Sequence, residues 1–488
     1  MTEKAASGES RGREVIVVGA GPNGLAAAVE MARSGFRVTV LEAADTIGGG
    51  TRTMELTLPG FCHDVCSAIH PLAASSPFFN QLPLADFGLR WIHPAAPLAH
   101  PFDDGTAAML ERDVAVTAGT LDKEDADAYH HLFSPLVAGW ADLAPDILRP
   151  VVGVPKHPVL MGRFGLNAIR PAEGLARDVF KGSRGRALFA GLSAHSFLPL
   201  DKPGSAAFGL VLGILGHAAG WPVAAGGSAA ISRALADYLV SLGGDVRTGT
   251  RVASVLDLPP GALVILDVTP RQLLEIAGSG FDDRYRRLLA AYRYGPGIFK
   301  VDWALAGPIP WRAGECARSA TVHLGGTLEE IASCEREIWE GKHPVHPFVL
   351  LAQQSLFDPG RAPEGKHTGW AYCHVPSGST FDMTERIEAQ VERFAPGFRE
   401  LVLARHVRNT AGYQEYDRNF VGGDINGGVQ DLRQMIARPV AGPRPYATPD
   451  PGIFICSSST PPGGGVHGMC GYLAARCAID KEAHGKKG

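Results

Sequence analysis

The first patterned segment of the chain runs from residue 14 to residue 42. Glu14 to Val18 is a continuous β-branched run, which is typical of a strand buried on both faces. A glycine turn follows, and apolar residues at helical spacing predict a helix from about Leu25 to Arg33. Phe36 to Leu41 is predicted as a second strand, which ends in Glu42. The segment is therefore a β-α-β unit.

Similar strand and helix patterns recur twice, far along the chain. Ser228 is predicted to cap a helix that runs through Leu242. The other predicted elements are a strand-like stretch from Asp245 to Leu256, a buried strand from Ala262 to Leu266, a strand from Gly452 to Cys456 and a helix from about Met469 to Asp480. Three separated αβ segments predict one nucleotide-binding domain assembled from discontinuous pieces.

The predicted fold class is α/β, with a Rossmann-like dinucleotide-binding domain and a second α+β domain that binds substrate. The first domain takes residues 13–60, 225–274 and 446–482. The second takes residues 61–224 and 275–445, which are richer in Trp, Phe, Pro and His. Residues 1–12 are polar and lack the apolar region of a signal peptide, so a flexible lead-in is expected there.

Composition and charge remove several classes of function. A net charge of −4 over 488 residues gives no electrostatic case for nucleic acid or for an anionic membrane. The longest charge-free apolar stretch, Gly204 to Val223, is rich in glycine and favours a buried helix over a transmembrane one. None of the eight cysteines forms a CxxC pair, so free thiols in a reducing, cytoplasmic setting are expected.

The strongest motif is the glycine turn that follows the first strand. Gly19 permits the tight turn, Gly21 lets the backbone approach a pyrophosphate, and Gly24 lets the helix pack closely on the strand. The helix N-terminus offers free N–H groups to the phosphates. Glu42 ends the second strand, where a carboxylate accepts hydrogen bonds from ribose hydroxyls. A dinucleotide site is therefore predicted.

Two further glycine segments favour FAD over NAD. Residues 47–53 form a second glycine loop directly after Glu42, where an NAD dehydrogenase would continue with a helix and a strand. A second GxGxxG match, residues 463–468, lies 20 residues from the end of the chain, too near it for another nucleotide-binding unit. We therefore expect one long ligand, FAD, to reach from Gly19 to Gly465.

Residues 19–43, 47–71, 224–252 and 446–476 together resemble the phytoene-dehydrogenase-like flavoproteins. These belong to the carotenoid desaturase and amine oxidase superfamily, and the resemblance is strongest to the pyridine nucleotide-disulfide oxidoreductase domain-containing protein 2 group. The resemblance implies a flavin-binding fold shared with amine oxidases and with prenyl-binding escort proteins. One departure is the short link from Leu256 to Gly261, where such flavoproteins carry a β-hairpin.

The resemblance also assigns cofactor-binding residues. Gly19, Gly21 and Gly24 would hold the FAD diphosphate and Glu42 the adenosine ribose. The further residues that it implies are Gly49 and Arg52 beside the diphosphate, Val252 at the adenine, and Gly464, Gly465, His467, Gly468 and Met469 at the pyrimidine edge of the flavin. The helix that starts near Met469 would then direct its positive end at the reduced flavin.

No catalytic residue stands out in the sequence. His467 and Asp424 are candidates, although a histidine satisfied within its loop and a turn aspartate bonded to its own backbone are competing interpretations. Arg52 would contact the cofactor or form a surface salt bridge. His63, His70, His195, His217 and His374 are individually uninformative. Phe197, Leu198, residues 208–215 and Trp221 would line a hydrophobic tunnel or pack in the core.

Three functions remain open at this stage. The leading hypothesis is an FAD-dependent dehydrogenase, desaturase or isomerase that transfers hydride from a hydrophobic, isoprenoid-like small molecule to flavin N5. A flavin amine oxidase would need an aromatic pair at the flavin face. A non-catalytic lipid-binding or prenyl-binding escort protein would have lost the flavin, which the intact glycine set argues against. A peripheral membrane contact stays possible for a lipid-like substrate, without support from a basic amphipathic helix.

Overall fold

The computed structural model describes residues 13–150 and 153–485, so the expected lead-in lies outside the described residues. The strands are β1 Glu14–Val18, β2 Arg37–Leu41, β3 Thr53–Glu55, β4 Cys62–Asp64, β5 Trp91–Ile92, β6 Ala96–Pro101, β7 Ala107–Leu110, β8 Val223–Ala224, β9 Asp245–Arg247, β10 Leu263–Leu266, β11 Gly297–Leu305, β12 Ser319–Leu324, β13 Val349–Ala352, β14 His367–Val375, β15 Val402–Arg408 and β16 Ile453–Ile455.

The helices are α1 Pro22–Arg33, α2 Pro71–Ala74, α3 Val114–Ala118, α4 Ala126–Ala138, α5 Trp140–Ile147, α6 Pro158–Ala168, α7 Ala172–Val179, α8 Ser183–Ala194, α9 Ser205–Ala218, α10 Ala229–Ser241, α11 Pro270–Ala277, α12 Asp283–Ala290, α13 Leu328–Trp339, α14 Thr384–Phe394, α15 Thr410–Tyr416, α16 Leu432–Ile436 and α17 Met469–Gly485.

A five-stranded sheet carries the glycine turn. Its order is β16-β10-β1-β2-β9, and all four pairings are parallel. Val15 and Val17 pack with α1, α10 and α17 on one face, while Ile16 and Val18 pack with α11 and α12 on the other. Both faces are thus covered, as the continuous β-branched runs predicted. The Rossmann-like α/β fold is confirmed.

A seven-stranded sheet forms the second layer, in the order β15-β11-β14-β13-β12-β6-β7. Its pairings are antiparallel except for β12 with β6. One face packs against the helices α4, α7, α8, α9 and α13, and the other packs against α14. Its central strands β14 and β13 lie deep in the molecule, because their side chains are buried almost without exception.

Several predicted boundaries shift. Helix α1 begins at Pro22 rather than Leu25, since proline is favoured at the first position of a helix. The strand expected from Asp245 to Leu256 ends at Arg247, where it leaves β2. Ser228 precedes α10 but does not cap it with its side chain; its hydroxyl donates to the Ser67 carbonyl at 2.6 Å instead.

The long apolar stretch from Gly204 to Val223 becomes helix α9, which packs inside the second domain's helical layer. Its mostly buried surface agrees with the buried-helix interpretation. None of the helices in residues 13–150 and 153–485 combines the length and the apolar character needed to cross a bilayer.

Candidate functional site

The glycine turn depends on an unusual backbone angle at Gly19 and on a close backbone contact at Gly24. Gly19 adopts φ +101°, a conformation that favours glycine. A Cβ at Gly24 would lie 2.0 Å from the Gly19 carbonyl oxygen, so only glycine lets α1 approach the end of β1 this closely. The turn therefore has the tight bend and the close helix packing that a GxGxxG motif requires.

Glu42 ties the end of β2 to this turn. Its Oε2 accepts the Ala20 N–H at 2.8 Å, and its Oε1 accepts the Ala44 N–H at 2.9 Å. Arg52 Nη2 lies 3.4 Å from the same Oε1. The carboxylate is buried and lies on the wall of a cavity beside Gly19 and Gly21, at the place where the motif predicts a ribose.

The second glycine loop closes over the first. A Cβ at Gly49 would lie 3.3 Å from the Cα of Gly21, which places the two segments back to back. Arg52 donates to the Thr46 carbonyl from Nε at 3.1 Å and from Nη2 at 2.8 Å, and its guanidinium lies 5.2 Å from the Tyr416 ring centroid. Arg52 is thus fixed at the cavity wall rather than spread on the surface.

One continuous cavity of about 680 Å³ joins the glycine turn to the second sheet. Of the residues expected to bind the cofactor, it is lined by Gly19, Gly21, Glu42, Gly49, Arg52, Val252 and Gly465. The remaining five, Gly24, Gly464, His467, Gly468 and Met469, lie behind the wall. The three discontinuous segments of the sequence therefore do meet at one place.

His467 supports the C-terminal loop from inside. Its Nδ1 accepts the Met469 N–H at 3.0 Å, at the start of α17, and burial lowers its pKa to about 4. The Ser76 hydroxyl donates to the His467 carbonyl at 2.7 Å. Of this loop, Gly465 and Val466 face the cavity. Nδ1 therefore bonds within the loop, whereas Nε2 is buried without a partner among the described residues.

Asp424 likewise bonds to backbone. Its Oδ2 accepts the Gly295 N–H and its Oδ1 accepts the Asn426 N–H, both at 2.7 Å, and burial raises its pKa. Asn426 lines the cavity, whereas Asp424 does not. The aspartate therefore holds the loop that presents Asn426.

Asp267 is a wall residue that the sequence analysis missed. It directly follows β10, and its Oδ2 accepts the Gly24 N–H at 2.9 Å. Burial raises the pKa of this carboxyl to about 7. The sequence did contain a signal for this residue, namely an acid directly after a predicted buried strand. Ligands of parallel sheets bind at the carboxyl ends of the strands.

The far end of the cavity is apolar and aromatic. Its floor consists of the sheet residues Thr321, Leu350, Ala352, Trp370 and Tyr372, and His195 and Trp221 also line this end. Of the expected tunnel residues, Trp221 lines the cavity; Phe197, Leu198 and residues 208–215 lie elsewhere, most of them in the helical core. The predicted tunnel is therefore made mainly by the sheet.

A buried ion pair lies beside Trp370 on the neighbouring strand β11, on the same face of the sheet. Lys300 and Asp302 pair directly, and Lys300 Nζ lies 5.4 Å from the Trp370 ring centroid. Burial lowers the pKa of Lys300, while the carboxylate of Asp302 opposes that change. His63 and His406 flank Asp302 at 3.7 and 3.6 Å. The cluster adjoins the cavity floor without lining the cavity.

The cysteines are all free, as expected from their spacing. Cys66 lines the cavity, and burial raises its pKa to about 12. A thiol with so high a pKa is a poor nucleophile, since thiolates are the reactive form. A disulfide exchange at this site is thus disfavoured.

Comparisons with known proteins agree with this geometry. The family model for an NAD(P)-binding Rossmann-like domain matches residues 17–82. The pyridine nucleotide-disulfide oxidoreductase domain-containing protein 2 of Rattus norvegicus is 25% identical over 95% of this chain and 92% of its own. A neurosporene-forming phytoene desaturase of Rhodobacter capsulatus is 25% identical over 95% of this chain and 93% of its own.

Over nearly its whole length the chain is therefore similar to named oxidoreductases of the desaturase type. Solved structures share the fold of this chain: an oxidoreductase from Methanosarcina mazei gives a TM-score of 0.64 at 15% identity, with 96% of this chain and 100% of that chain covered. Putrescine oxidase bound to putrescine gives 0.62 at 19% identity, with 96% and 99% covered. The resemblance found in the sequence, including the dinucleotide-binding oxidoreductase class, is confirmed.

Proposed function

We propose that the protein is an FAD-dependent oxidoreductase that oxidises or isomerises a hydrophobic small molecule. The observation that carries the proposal is the single cavity that runs from the glycine turn to the aromatic floor of the second sheet. A dinucleotide bound at the turn and a substrate on the floor would then share one enclosed space. Relatives named as phytoene desaturases support the same class of activity.

The residues at the turn fit FAD. Gly21 and Gly49 lie back to back with no side chain between them, so two backbone segments can approach a diphosphate. Glu42 lies beside them on the cavity wall, in position for a ribose, and Arg52 brings a positive charge. Val252 and Gly465 line the same cavity. Residues from all three segments of the first domain could therefore contact one dinucleotide.

A bound flavin supplies a two-electron acceptor for hydride. The protein positions the substrate and keeps water away from it. Trp221, Leu350 and Ala352 exclude water from the floor, and an apolar wall orients a hydrophobic molecule without a charged contact. The isoprenoid class rests on the named relatives. Dehydrogenation, desaturation and isomerisation share these requirements.

An amine oxidase is the second enzymatic candidate, because Trp370 and Tyr372 form an aromatic pair on the floor, with ring centroids 5.1 Å apart. Two carboxylates on the cavity wall lie at the turn end instead: Asp267 bonds Gly24, and Asp417 lies beside Gly49; no acid belongs to the floor residues themselves. An ammonium group on the floor would therefore lack a countercharge. A non-catalytic escort role is disfavoured by the complete glycine and glutamate set.

The visible spectrum of the purified protein tests the proposal. We expect flavin absorbance, or its appearance when FAD is supplied, and bleaching when a substrate is added without oxygen. A protein that stays colourless in excess FAD would refute the enzyme hypothesis.

Variants at Glu42 test the assignment of the turn. Glu42→Gln should raise the dissociation constant for FAD by about tenfold, since charged hydrogen bonds contribute about 1.5–3 kcal/mol. Glu30→Gln is the matched control, because Glu30 is equally buried but pairs with Arg33 and Arg476 away from the cavity. Equal FAD affinity in both variants would remove Glu42 from the cofactor site.

A further inference from the structure

Three cross-strand neighbours form the centre of the cavity floor. Thr321 on β12 pairs with Ala352 on β13, and Ala352 pairs in turn with Trp370 on β14. Paired residues point to the same face of a sheet, and neighbouring strands lie about 4.8 Å apart. The small Ala352 side chain thus leaves a depression in the floor. The Thr321 hydroxyl lies on one side of this low point and the Trp370 indole on the other.

The polar atoms on both sides of this low point lack partners. Thr321 Oγ1 and Trp370 Nε1 are buried and have no hydrogen-bond partner among the described residues. The two side chains belong to residues that are 5% and 7% exposed, and both residues line the cavity. A buried donor without a partner costs about 1–3 kcal/mol. A pure hydrocarbon bound on this floor has no hydrogen-bond acceptor, so the cost of the unpartnered Thr321 and Trp370 groups would remain.

The surroundings of the floor are electrically neutral. The floor and the opposing His195 and Trp221 carry no fixed charge, and burial lowers the pKa of His195 to about 3, so that it stays uncharged. Lys300 and Asp302 lie beside Trp370 on the same face of the sheet, and their charges compensate each other. An ammonium or carboxylate group would lose its hydration here without an ion partner.

We propose that the substrate carries a neutral oxygen acceptor, such as a ketone, aldehyde or ester carbonyl, which binds above Ala352. The acceptor takes one hydrogen bond from the Trp370 indole N–H and one from the Thr321 hydroxyl. The inference rests on the proposed function and narrows its substrate class from hydrophobic molecules in general to oxygenated ones. Trp370 and Thr321 are then specificity-determining residues.

The test compares three ligands of one skeleton: 4-phenylbutan-2-one, butylbenzene and protonated 4-phenylbutan-2-amine. Their dissociation constants are measured with FAD-loaded protein from the perturbation of the flavin spectrum, and each is multiplied by the compound's octanol–water partition coefficient, which removes the effect of hydrophobicity. We expect the ketone to bind about ten- to a hundredfold tighter than the hydrocarbon on this scale, at about three- to tenfold for each of the two hydrogen bonds. Equal binding of ketone and hydrocarbon overturns the inference, and tightest binding of the amine replaces it with the amine oxidase hypothesis.

Two variants that each remove one hydrogen-bond donor locate the contact. Trp370→Phe removes the indole N–H and Thr321→Val removes the hydroxyl, and each should cut the preference for the ketone by about three- to tenfold. Thr368→Val is the matched control, because its hydroxyl is also buried without a partner among the described residues but does not line the cavity. An unchanged preference in both floor variants, or a weakened FAD affinity in place of a weakened preference, overturns the inference.

The proposed function and the inference about an oxygen acceptor can be refuted independently of each other. The ligand comparison in the wild-type protein needs no variant to fold. A colourless protein defeats the proposed function, and the same titration followed by tryptophan fluorescence still decides whether the floor prefers the ketone.

Discussion

The Asp267 carboxylate oxygen Oδ2 accepts a hydrogen bond from the Gly24 backbone N–H at 2.9 Å. The motif assigns the backbone N–H groups in the first turn of α1 to a diphosphate. One of these N–H groups is already bonded to the side chain of an acidic residue. Cβ atoms built on Gly19 and Gly21 would also come within 3.1 and 3.0 Å of this side chain. The charge of Asp267 thus bears directly on the anion that the turn is expected to hold.

FAD affinity should depend on pH through Asp267. Burial raises the pKa of this carboxyl to about 7, so it becomes negative beside the diphosphate as the pH rises past neutrality. We expect the dissociation constant for FAD to rise between pH 7 and pH 9, by up to about tenfold per pH unit. Asp267→Asn should bind FAD with little dependence on pH in a fluorescence titration. Asp424→Asn, a buried acid outside the cavity wall, should keep the wild-type dependence; a dependence that persists in Asp267→Asn would contradict this assignment.

The stability of the ligand-free protein should also fall with rising pH. Burial raises the pKa of Asp267 from 3.8 to about 7 and that of Asp417 from 3.8 to about 6. The folded chain therefore binds more protons than the unfolded chain between these values, and the contribution present below about pH 4 is lost as the pH rises towards 7. Urea unfolding at pH 5 and pH 7.5 measures the loss. Asp267→Asn should reduce it, and an identical loss in that variant would count against Asp267.

Arg361 should be among the costliest buried charges to remove. Its Nη1 lies 3.0 Å from Asp64 Oδ2 and its Nε lies 2.8 Å from Asp358 Oδ2, with the guanidinium almost fully buried. Arg361→Met leaves two buried carboxylates without their partner, at a cost of about 3–5 kcal/mol of unfolding free energy. Arg247→Met, which breaks the exposed pair with Asp245, should cost less than about 1 kcal/mol. Similar losses for the two variants in urea unfolding would be unexpected.

Two helical glycines should respond to alanine in opposite directions. A Cβ at Gly471 in α17 would lie 1.8 Å from the Asn23 carbonyl oxygen of α1, so Gly471→Ala must push the two helices apart, at about 1–3 kcal/mol or more. A Cβ at Gly162 in α6 meets nothing within 4 Å, and Gly162→Ala should stabilise the protein by up to about 1 kcal/mol. Melting temperatures that shift in the same direction would refute the close packing of α1 on α17.

His467 should matter for stability and little for the flavin. His467→Ala removes the acceptor of the Met469 N–H and should cost about 1 kcal/mol, as the loss of a helix cap does. The absorbance maxima of bound FAD should stay in place, because the side chain lies behind the cavity wall. His131→Ala, on the exposed face of α4, serves as control. A shifted flavin spectrum in His467→Ala would restore the hypothesis that His467 touches the cofactor.

The turn end of the site was predictable because its signals are local. Gly19, Gly21 and Glu42 lie within one β-α-β unit, whose periodicity fixes where each residue falls. The inward turn of His467 depends on packing against Ser76 from a distant segment, which no spacing within the loop encodes. The aromatic floor was missed for the same reason, since Thr321 and Trp370 meet only through strand pairing with Ala352.

The order of synthesis has a consequence for the parallel sheet. Strand β16 pairs with β10, yet 186 residues separate Leu266 from Ile453 along the chain. A ribosome that adds about 5–20 residues per second takes roughly 10 to 40 s to make them. Throughout that interval the outer edge of β10 has no strand to cover it, and the Gly465 side of the cavity has not been made. A dinucleotide bound at the glycine turn would therefore find its complete site only in the nearly finished chain, and nascent protein at this stage presents an open sheet edge that a chaperone can protect.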